Sequence, residues 1–354
     1  MRRRATGLMA LLLGSGCWFA PDIDQHGYTS CEEAAECGPG RHCEHSYCMP
    51  APWWDDVYSA RYQLLIENPG SVTVPAASLG EVLVGEDADL TLDQVGYAPV
   101  IVYEDRAAGE HAPAIAIRDP RGDNYSFVFA LPVELSPRAV FGDLWLYVGG
   151  DLDQASPSYS APEEVYAYYE PFDGEALDSE RFRWEGGADL GGGQLVLRAS
   201  AWLVTEQVFE DQQVEVDLQL YGAACGEFGL GLAARHTPQS LDPPYAMFIA
   251  DSTGQLRHEI WSSTLAAVEI EGETLVADGF PHRFSIAIAG DQVEFAVDQR
   301  VTATWQPEFS LADTALHLHI YTRDCDVRLE TIRAAPRPVE LPEVTLGERV
   351  VWSP

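Results

Sequence analysis

Short runs of alternating apolar and polar residues follow one another along most of the chain, and turn-forming residues separate them. The clearest run is Gln213 to Leu220, where valine and leucine take every second position and glutamine, glutamate and aspartate take the others. Because the side chains of a strand point alternately to two faces, this pattern predicts strands with one buried and one polar face. No 3.6-residue repeat interrupts the runs, so the pattern predicts an all-β chain.

The predicted strands fall into two arrays, with turn signals spaced about 8 to 12 residues apart, as is typical of β-sandwiches. The first array occupies residues 53–160 and the second occupies residues 161–334. Strands of the first array are predicted at Arg61 to Glu67, Ser71 to Pro75, Glu81 to Val84, Asp89 to Leu92, Pro99 to Glu104, Pro113 to Arg118, Tyr125 to Leu131 and Asp143 to Val148. Residues 335–354 form a proline-marked tail, which could add an edge strand at Val344 to Val351.

The chain begins with the pattern of a secretory signal. Arg2 to Arg4 form a basic segment, Leu8 to Leu13 form an apolar segment too short to span a bilayer, and small residues lead directly to Cys17. This leader, residues 1–17, resembles that of bacterial lipoproteins, although Gly14 stands where such leaders usually carry an aliphatic residue. The resemblance implies that Cys17 is acylated and anchors the exported protein to the envelope, with the outer membrane or cell surface favoured. Ordinary secretion is the alternative.

The other six cysteines are predicted to form disulfides. Four of them lie in residues 18–52, a stretch with few apolar residues that predicts a disulfide-rich stalk; they are Cys31, Cys37, Cys43 and Cys48. The favoured pairing is interleaved, Cys31 with Cys43 and Cys37 with Cys48, and a structural zinc is the competing interpretation. Cys225 and Cys325 are the only cysteines of the second array, and we expect them to pair with each other.

Charge narrows the range of partners. The chain carries 56 acidic and 21 basic residues, a formal net charge of -35. A strongly acidic protein repels the phosphate backbone, so nucleic acid is not expected as a partner. Hydrophobic residues make up 46% of the chain, which is enough to build a core in both arrays.

Two resemblances refine the fold. The first array resembles the domain of unknown function 2341, through Trp53-Trp54, Arg61 to Asn68, Asp89 to Leu92, and Leu144 to Gly150 followed by Ala155-Ser156. The second array is similar to the concanavalin A-like lectin and glucanase jelly roll, through Glu170 to Asp178, Trp184, Gly193 to Leu197, Asp278 to Phe284 and Phe295 to Gln299. The first resemblance implies no catalytic residues, and the second implies a jelly roll that binds carbohydrate or another surface polymer.

Glu215, Asp217 and Gln219 are the strongest candidates for a reaction site. One glucanase family of the jelly-roll fold carries Glu-x-Asp-x-Glu on a strand, where alternation brings the carboxylates into one cleft. Gln219 takes the third position here, and an amide can neither donate nor accept the catalytic proton. We therefore assign no catalytic residues and interpret the three side chains as ligand contacts or as an ordinary polar sheet face.

Three further residues complete the candidate ligand site. His317 and His319 alternate on a predicted strand and could share a concave face with Glu215 and Asp217. Trp261 is a candidate for stacking on a sugar ring, as are Trp202, Tyr221 and Trp305, although core packing is the alternative for each aromatic residue. Acidic loop residues such as Asp173, Asp178 and Asp251 could hold calcium, and the sequence requires no other cofactor.

The sequence thus predicts an exported surface lipoprotein that binds a ligand and, in view of Gln219, is not an enzyme. Two rival interpretations remain at this point. The first is a structural or adhesive surface protein that makes protein contacts only, and the second is a glycoside hydrolase.

Overall fold

The structure is a computed structural model of the 354-residue chain. The residues it describes are 41–44, 47–50, 57–85, 90–91, 95, 99–105, 110–121, 124–150, 160–221, 226–234, 243–252, 255–261, 268–274, 280–290, 292–306, 311, 314–338 and 341–351. The leader with Cys17, as well as Cys31, Cys37 and Cys225, lie outside these residues. The proposed lipid anchor and the proposed disulfide pairs therefore stay predictions.

A short hairpin is the described part of the predicted stalk. Strands β1 (Arg41–Glu44) and β2 (Tyr47–Pro50) pair in antiparallel fashion, and Cys43 stands opposite Cys48 in the register. The two cysteines are thus neighbours in the backbone ladder.

The first sandwich is made of a five-stranded and a three-stranded sheet. Its strands are β3 (Ala60–Glu67), β4 (Leu79–Val84), β5 (Val100–Asp105), β6 (Glu110–Pro113), β7 (Ala116–Arg121), β8 (Asn124–Ala130), β9 (Val140–Val148) and β25 (Glu343–Val351). The larger sheet has the order β25, β3, β9, β5, β6, and the smaller has β4, β8, β7. Alternate residues of β3, among them Leu64 and Ile66, are fully buried in the core between the two sheets.

The predicted strand at Ser71 to Pro75 is wrong. Only Val74 pairs there, through one isolated bridge to Leu135. The reason lies in buried Asn68, whose side chain donates to the carbonyl oxygen of Val72 at 2.8 Å and accepts from the backbone N–H of Gly70 at 3.0 Å. These bonds satisfy backbone hydrogen-bonding groups that a strand would pair with a neighbouring strand, and so hold residues 68–72 in a loop.

The end of the described chain belongs to the first sandwich. Strand β25 pairs with β3, and Val344 and Leu346 pack against the first core. The edge strand expected at Val344 to Val351 is therefore present, and the second sandwich is inserted between β9 and β25. The chain passes twice between the two sandwiches.

The second sandwich contains a short helix, α1 (Pro162–Val165), and fifteen strands. The strands are β10 (Tyr168–Glu170), β11 (Phe182–Glu185), β12 (Ala188–Leu190), β13 (Leu195–Leu197), β14 (Trp202–Phe209), β15 (Gln212–Tyr221), β16 (Glu227–Ala233), β17 (Tyr245–Asp251), β18 (Gln255–Trp261), β19 (Val268–Thr274), β20 (Pro281–Ala289), β21 (Gln292–Val297), β22 (Arg300–Trp305), β23 (Leu316–Arg323) and β24 (Asp326–Pro336). Among the described residues, no helix is both long and apolar enough to cross a membrane.

These strands form two facing antiparallel sheets. The eight-stranded sheet has the order β12, β13, β24, β15, β20, β21, β22, with β10 also paired to β24, and the seven-stranded sheet has the order β11, β14, β23, β16, β17, β18, β19. From β14 to β24 the chain crosses repeatedly between the sheets, as in a jelly roll. Alternate residues of β15, such as Val216 and Leu218, are fully buried between the sheets. The prediction of an all-β chain with two sandwiches is confirmed.

Candidate functional site

The Glu-x-Asp-x-Gln segment lies on β15, in the middle of the eight-stranded sheet. Its apolar residues point into the core, so Glu215, Asp217 and Gln219 share the outer face of the sheet, as the alternation predicts. That outer face is turned toward the first sandwich, because Asp119 of β7 contacts residues on it.

Two arginines from neighbouring strands hold the two carboxylates. Arg333 of β24 lies 2.9 Å from Glu215 Oε2 through Nε and 2.5 Å from Asp217 Oδ2 through Nη2. Arg283 of β20 donates from Nε to Asp217 Oδ1 at 2.7 Å. The hydroxyl group of Thr331 adds a bond to Asp217 Oδ2 at 2.7 Å.

Asp119 extends this group into the first sandwich. It accepts from Arg283 Nη1 at 2.7 Å and Nη2 at 3.2 Å, and from Arg333 Nη1 at 3.3 Å. We call Asp119, Glu215, Asp217, Arg283 and Arg333 the arginine cluster. Its side chains are between 4% and 19% exposed, so these charges are largely buried.

The side chains of the arginine cluster are arranged as ion pairs rather than as a proton-donating acid. Burial lowers the pKa of Arg333, but Glu215 and Asp217 raise it, and the net pKa lies above its ordinary value. Neighbouring guanidinium groups in turn favour the ionised carboxylate. A glycosidase acid needs the opposite environment, one that keeps its proton on. Glu215 and Asp217 are therefore ion-paired to the arginines of their own sheet, and those arginines make the contact with Asp119 of the first sandwich.

An open cleft of about 630 Å³ borders the arginine cluster, and Asp217, Arg283 and Arg333 form part of its wall. Asp119 lines it from the first sandwich, and Tyr169, His282, Asp298 and Glu330 line it from the second. Its volume falls in the range of about 300–1,000 Å³ found for ligand sites. Its polar groups, however, already bond one another: His282 Nδ1 lies 2.7 Å from Asp298 Oδ2, and Asp298 Oδ1 accepts from the backbone N–H of Arg283 at 2.9 Å.

The histidine pair lies on the other sheet. His317 and His319 belong to β23 of the seven-stranded sheet, whereas Glu215 and Asp217 belong to the eight-stranded sheet. The expectation that all four share one concave face is therefore wrong, because β15 and β23 lie in opposite layers. Both histidines are buried, at 7% and 0% exposure, and His317 Nδ1 donates to the carbonyl oxygen of Thr205 at 2.9 Å.

Trp261 lies on the same outer face of the seven-stranded sheet as His317. The register sets His317, Ala233, Tyr245 and Trp261 side by side across four neighbouring strands. His317 and Tyr245 are buried, whereas Trp261 is 39% exposed. Of the six predicted ligand residues, the structure thus brings together Glu215, Asp217 and Gln219 on one sheet, and the two histidines and Trp261 on the other.

Trp261 belongs to a small polar and aromatic group on β18. The ring of Tyr245 packs edge-on against Trp261, with centroids 5.8 Å apart. The hydroxyl group of Tyr245 donates to Glu259 Oε2 at 3.2 Å, and Arg257 Nε donates to Glu259 Oε1 at 3.1 Å. Arg257, Glu259 and Trp261 alternate along β18 and so lie on one face; we call them the β18 ledge.

The remaining candidates have other roles or stay predictions. Gln219 accepts a hydrogen bond from the hydroxyl group of Tyr221, whose ring lies 4.6 Å from the guanidinium carbon of Arg328. Trp202 stacks on Tyr321, and Trp305 packs against the core. Asp178 accepts from the backbone N–H of Glu180 at 2.8 Å, as a turn residue does. Within the described part of the chain, no three His, Cys, Asp or Glu side chains form a metal-binding group.

Four residues of these two groups were not predicted from the sequence: Asp119, Arg283, Arg333 and Glu259. The signal for Glu259 was available, because Arg257, Glu259 and Trp261 alternate as clearly as the residues of β15 do. The arginines carried no such signal, since their partners are distant in sequence. Arg283 and Asp119, for example, are 164 residues apart.

Comparison with known proteins gives distant structural neighbours. Neither a family model nor a curated protein matches the sequence. The laminarinase catalytic domain from Thermotoga maritima is 13% identical, covers 48% of this chain and 97% of its own, and has a TM-score of 0.42. The endo-β-1,3-glucanase from Pyrococcus furiosus is 11% identical, covers 48% of this chain and 94% of its own, and has a TM-score of 0.41. Similarity at this level assigns no activity, and the fold described above rests on this chain's own strand pairing.

Proposed function

We propose that the chain is an exported, envelope-anchored protein without catalytic activity, whose second sandwich binds carbohydrate on the β18 ledge. A single observation carries the binding proposal: Trp261 is 39% exposed on a sheet face where Tyr245 and Tyr321 are buried and Trp202 is half-buried by its stacking on Tyr321. An exposed aromatic ring beside fixed polar groups offers an apolar face and hydrogen bonds to the same ligand.

The non-catalytic part of the proposal is supported by the arginine cluster. Glu215 and Asp217, the two carboxylates of the glucanase-like motif, are engaged by Arg283 and Arg333 against the first sandwich. A retaining glycosidase needs two carboxyl groups about 5 Å apart that flank an accessible sugar bond. Here a sugar would have to displace the two arginines that are ion-paired to these carboxylates.

The anchoring part rests on the leader. The basic residues, the apolar segment and the small residues before Cys17 support export and acylation. Metabolic labelling of the producing cell with an alkyne fatty acid would test this: we expect labelled wild-type protein and unlabelled Cys17→Ser protein. Equal labelling of both would remove the anchor from the proposal.

Carbohydrate binding is tested on a glycan array with the whole chain and two single variants. Trp261→Ala removes the exposed ring of the ledge, and Trp184→Ala is the matched control, because Trp184 is 37% exposed on β11 of the same sheet. We expect binding by wild type and Trp184→Ala and loss of binding in Trp261→Ala. If none of the three proteins binds any glycan, the result would favour a scaffold that makes protein contacts only.

Hydrolysis is tested separately. Wild-type protein incubated with β-glucans should release no reducing ends. Release that Glu215→Gln abolishes would establish the glycoside hydrolase instead.

A further inference from the structure

The middle of the seven-stranded sheet is filled by its own side chains. The ring of Tyr321 lies over Gly229, where a Cβ atom would come within 2.0 Å of Tyr321 Cε1. Met247 lies over Gly231 in the same way, with its Cγ atom 2.3 Å from an added Cβ atom. Glycine at these two positions thus allows the neighbouring side chains to lie flat against the backbone.

The packed side chains leave no room for a ligand in the middle of the sheet. Trp202 stacks on Tyr321 with the ring centroids 4.6 Å apart. Tyr321 is 5% exposed and Met247 is fully buried. A polymer that ran across the strands would have to displace these residues from close-packed positions, which is costly.

The β18 ledge remains accessible along its strand. The side chains of Arg257 and Glu259 are 28% and 17% exposed, next to the more exposed Trp261. With about 3.3 Å per residue, the three span about 13 Å along β18. Among the described side chains of β18, the accessible surface is therefore a short strip parallel to the strand.

The polar groups of the β18 ledge suit a ligand with hydroxyl groups rather than a charged ligand. Glu259 accepts from both Tyr245 and Arg257, so its charge is offset while its oxygen atoms remain beside a guanidinium donor. A hydroxyl group can donate and accept at once and fits such an acceptor and donor pair. The net charge of -35 repels polyanions from the whole surface.

We infer that the β18 ledge binds a short, uncharged saccharide segment and excludes acidic polysaccharides. This inference rests on the carbohydrate-binding function proposed above and adds the length and charge of the ligand. Trp261 supplies the stacking face, and Glu259 and Arg257 bond the hydroxyl groups that lie beside it.

Calorimetric titration of the whole chain tests the inference. The probes are neutral oligosaccharides of one to six units from β-glucan, xylan and mannan, and acidic fragments of polygalacturonate. We expect affinity to change less than about twofold between three and six units, and acidic fragments to bind at least about tenfold more weakly than neutral ones in low salt. Glu259→Gln should lower affinity for the neutral probes, and Trp184→Ala should leave it unchanged.

The outcomes separate the two proposals. Affinity that rises about tenfold or more between three and six units would overturn the short site alone, because it would require a chain that crosses the sheet. Equal or tighter binding of acidic fragments would overturn the charge preference. Failure of every probe to bind would overturn this inference together with the proposed function, and circular dichroism of each variant shows whether it is folded.

Discussion

Replacing Arg333 with methionine tests whether the arginine cluster joins the two sandwiches. The Arg333 side chain is 5% exposed and lies within 3.3 Å of carboxylate oxygens from Asp119, Glu215 and Asp217. Methionine keeps much of the apolar stem but removes the charge. Three carboxylates would then share Arg283 alone, and the cluster's net charge would change from -1 to -2.

The structure sets the magnitude of this effect. Removal of one partner from a buried ion pair costs about 3–5 kcal/mol, because it leaves the other charge buried without compensation. Arg183→Met is the matched control, since Arg183 pairs with Glu206 on the surface and its side chain is 46% exposed. An exposed ion pair of this kind contributes about 0–1 kcal/mol.

Urea unfolding of both variants measures the difference. We expect Arg333→Met to shift the unfolding midpoint far more than Arg183→Met, with the slope unchanged. Two separate transitions in Arg333→Met, where wild type shows one, would indicate that the sandwiches had lost their coupling. Equal and small shifts in both variants would refute the cluster as a stabilising contact between sandwiches.

Three further predictions follow from the packing. A chain that ends at residue 338 lacks β25, so the amide protons of β3 should exchange faster than in wild type. A chain that ends at residue 351 keeps β25 and should match wild type. Equal protection of β3 in both chains would contradict the pairing of β25 with β3. Gly229→Ala should lower the free energy of unfolding by about 1–3 kcal/mol, because the added Cβ atom forces Tyr321 aside. In the same urea denaturation assay Gly191→Ala should leave this free energy unchanged, since its added Cβ atom meets nothing within 4 Å. Burial raises the pKa of Tyr168 to about 12 from 10.0, so its hydroxyl group stays protonated in the folded chain where the unfolded chain ionises. Its contribution to stability should be complete below pH 10 and decline from pH 10 to 12; a stability that rises over this interval would contradict the assignment.

The strands were largely predictable from local pattern, whereas the site was not. In β15 the alternation of Val216 and Leu218 with Glu215 and Asp217 fixes both the strand and its buried face, because burial depends on the period of two. What lies against the polar face depends on pairing between distant segments. Arg333 reaches Asp217 over 116 residues, and no local signal encodes that register.

In the seven-stranded sheet, too, local sequence does not reveal which side chains are exposed. His317 and His319 alternate like polar-face residues, yet they are buried. Trp261 and Tyr245 stand opposite each other at the ends of two paired strands, but only Trp261 is exposed. Exposure of an aromatic ring depends on its tertiary neighbours, and the sequence alone could only name the candidates.

A crystal structure of the chain soaked with a neutral oligosaccharide that binds in solution is the most direct test of the account. We predict a sugar ring stacked on Trp261, hydroxyl groups bonded to Glu259 and Arg257, and an intact contact between Asp119, Arg283 and Arg333. Sugar bound instead in the cleft beside Asp217, with the arginine cluster opened around it, would contradict the account.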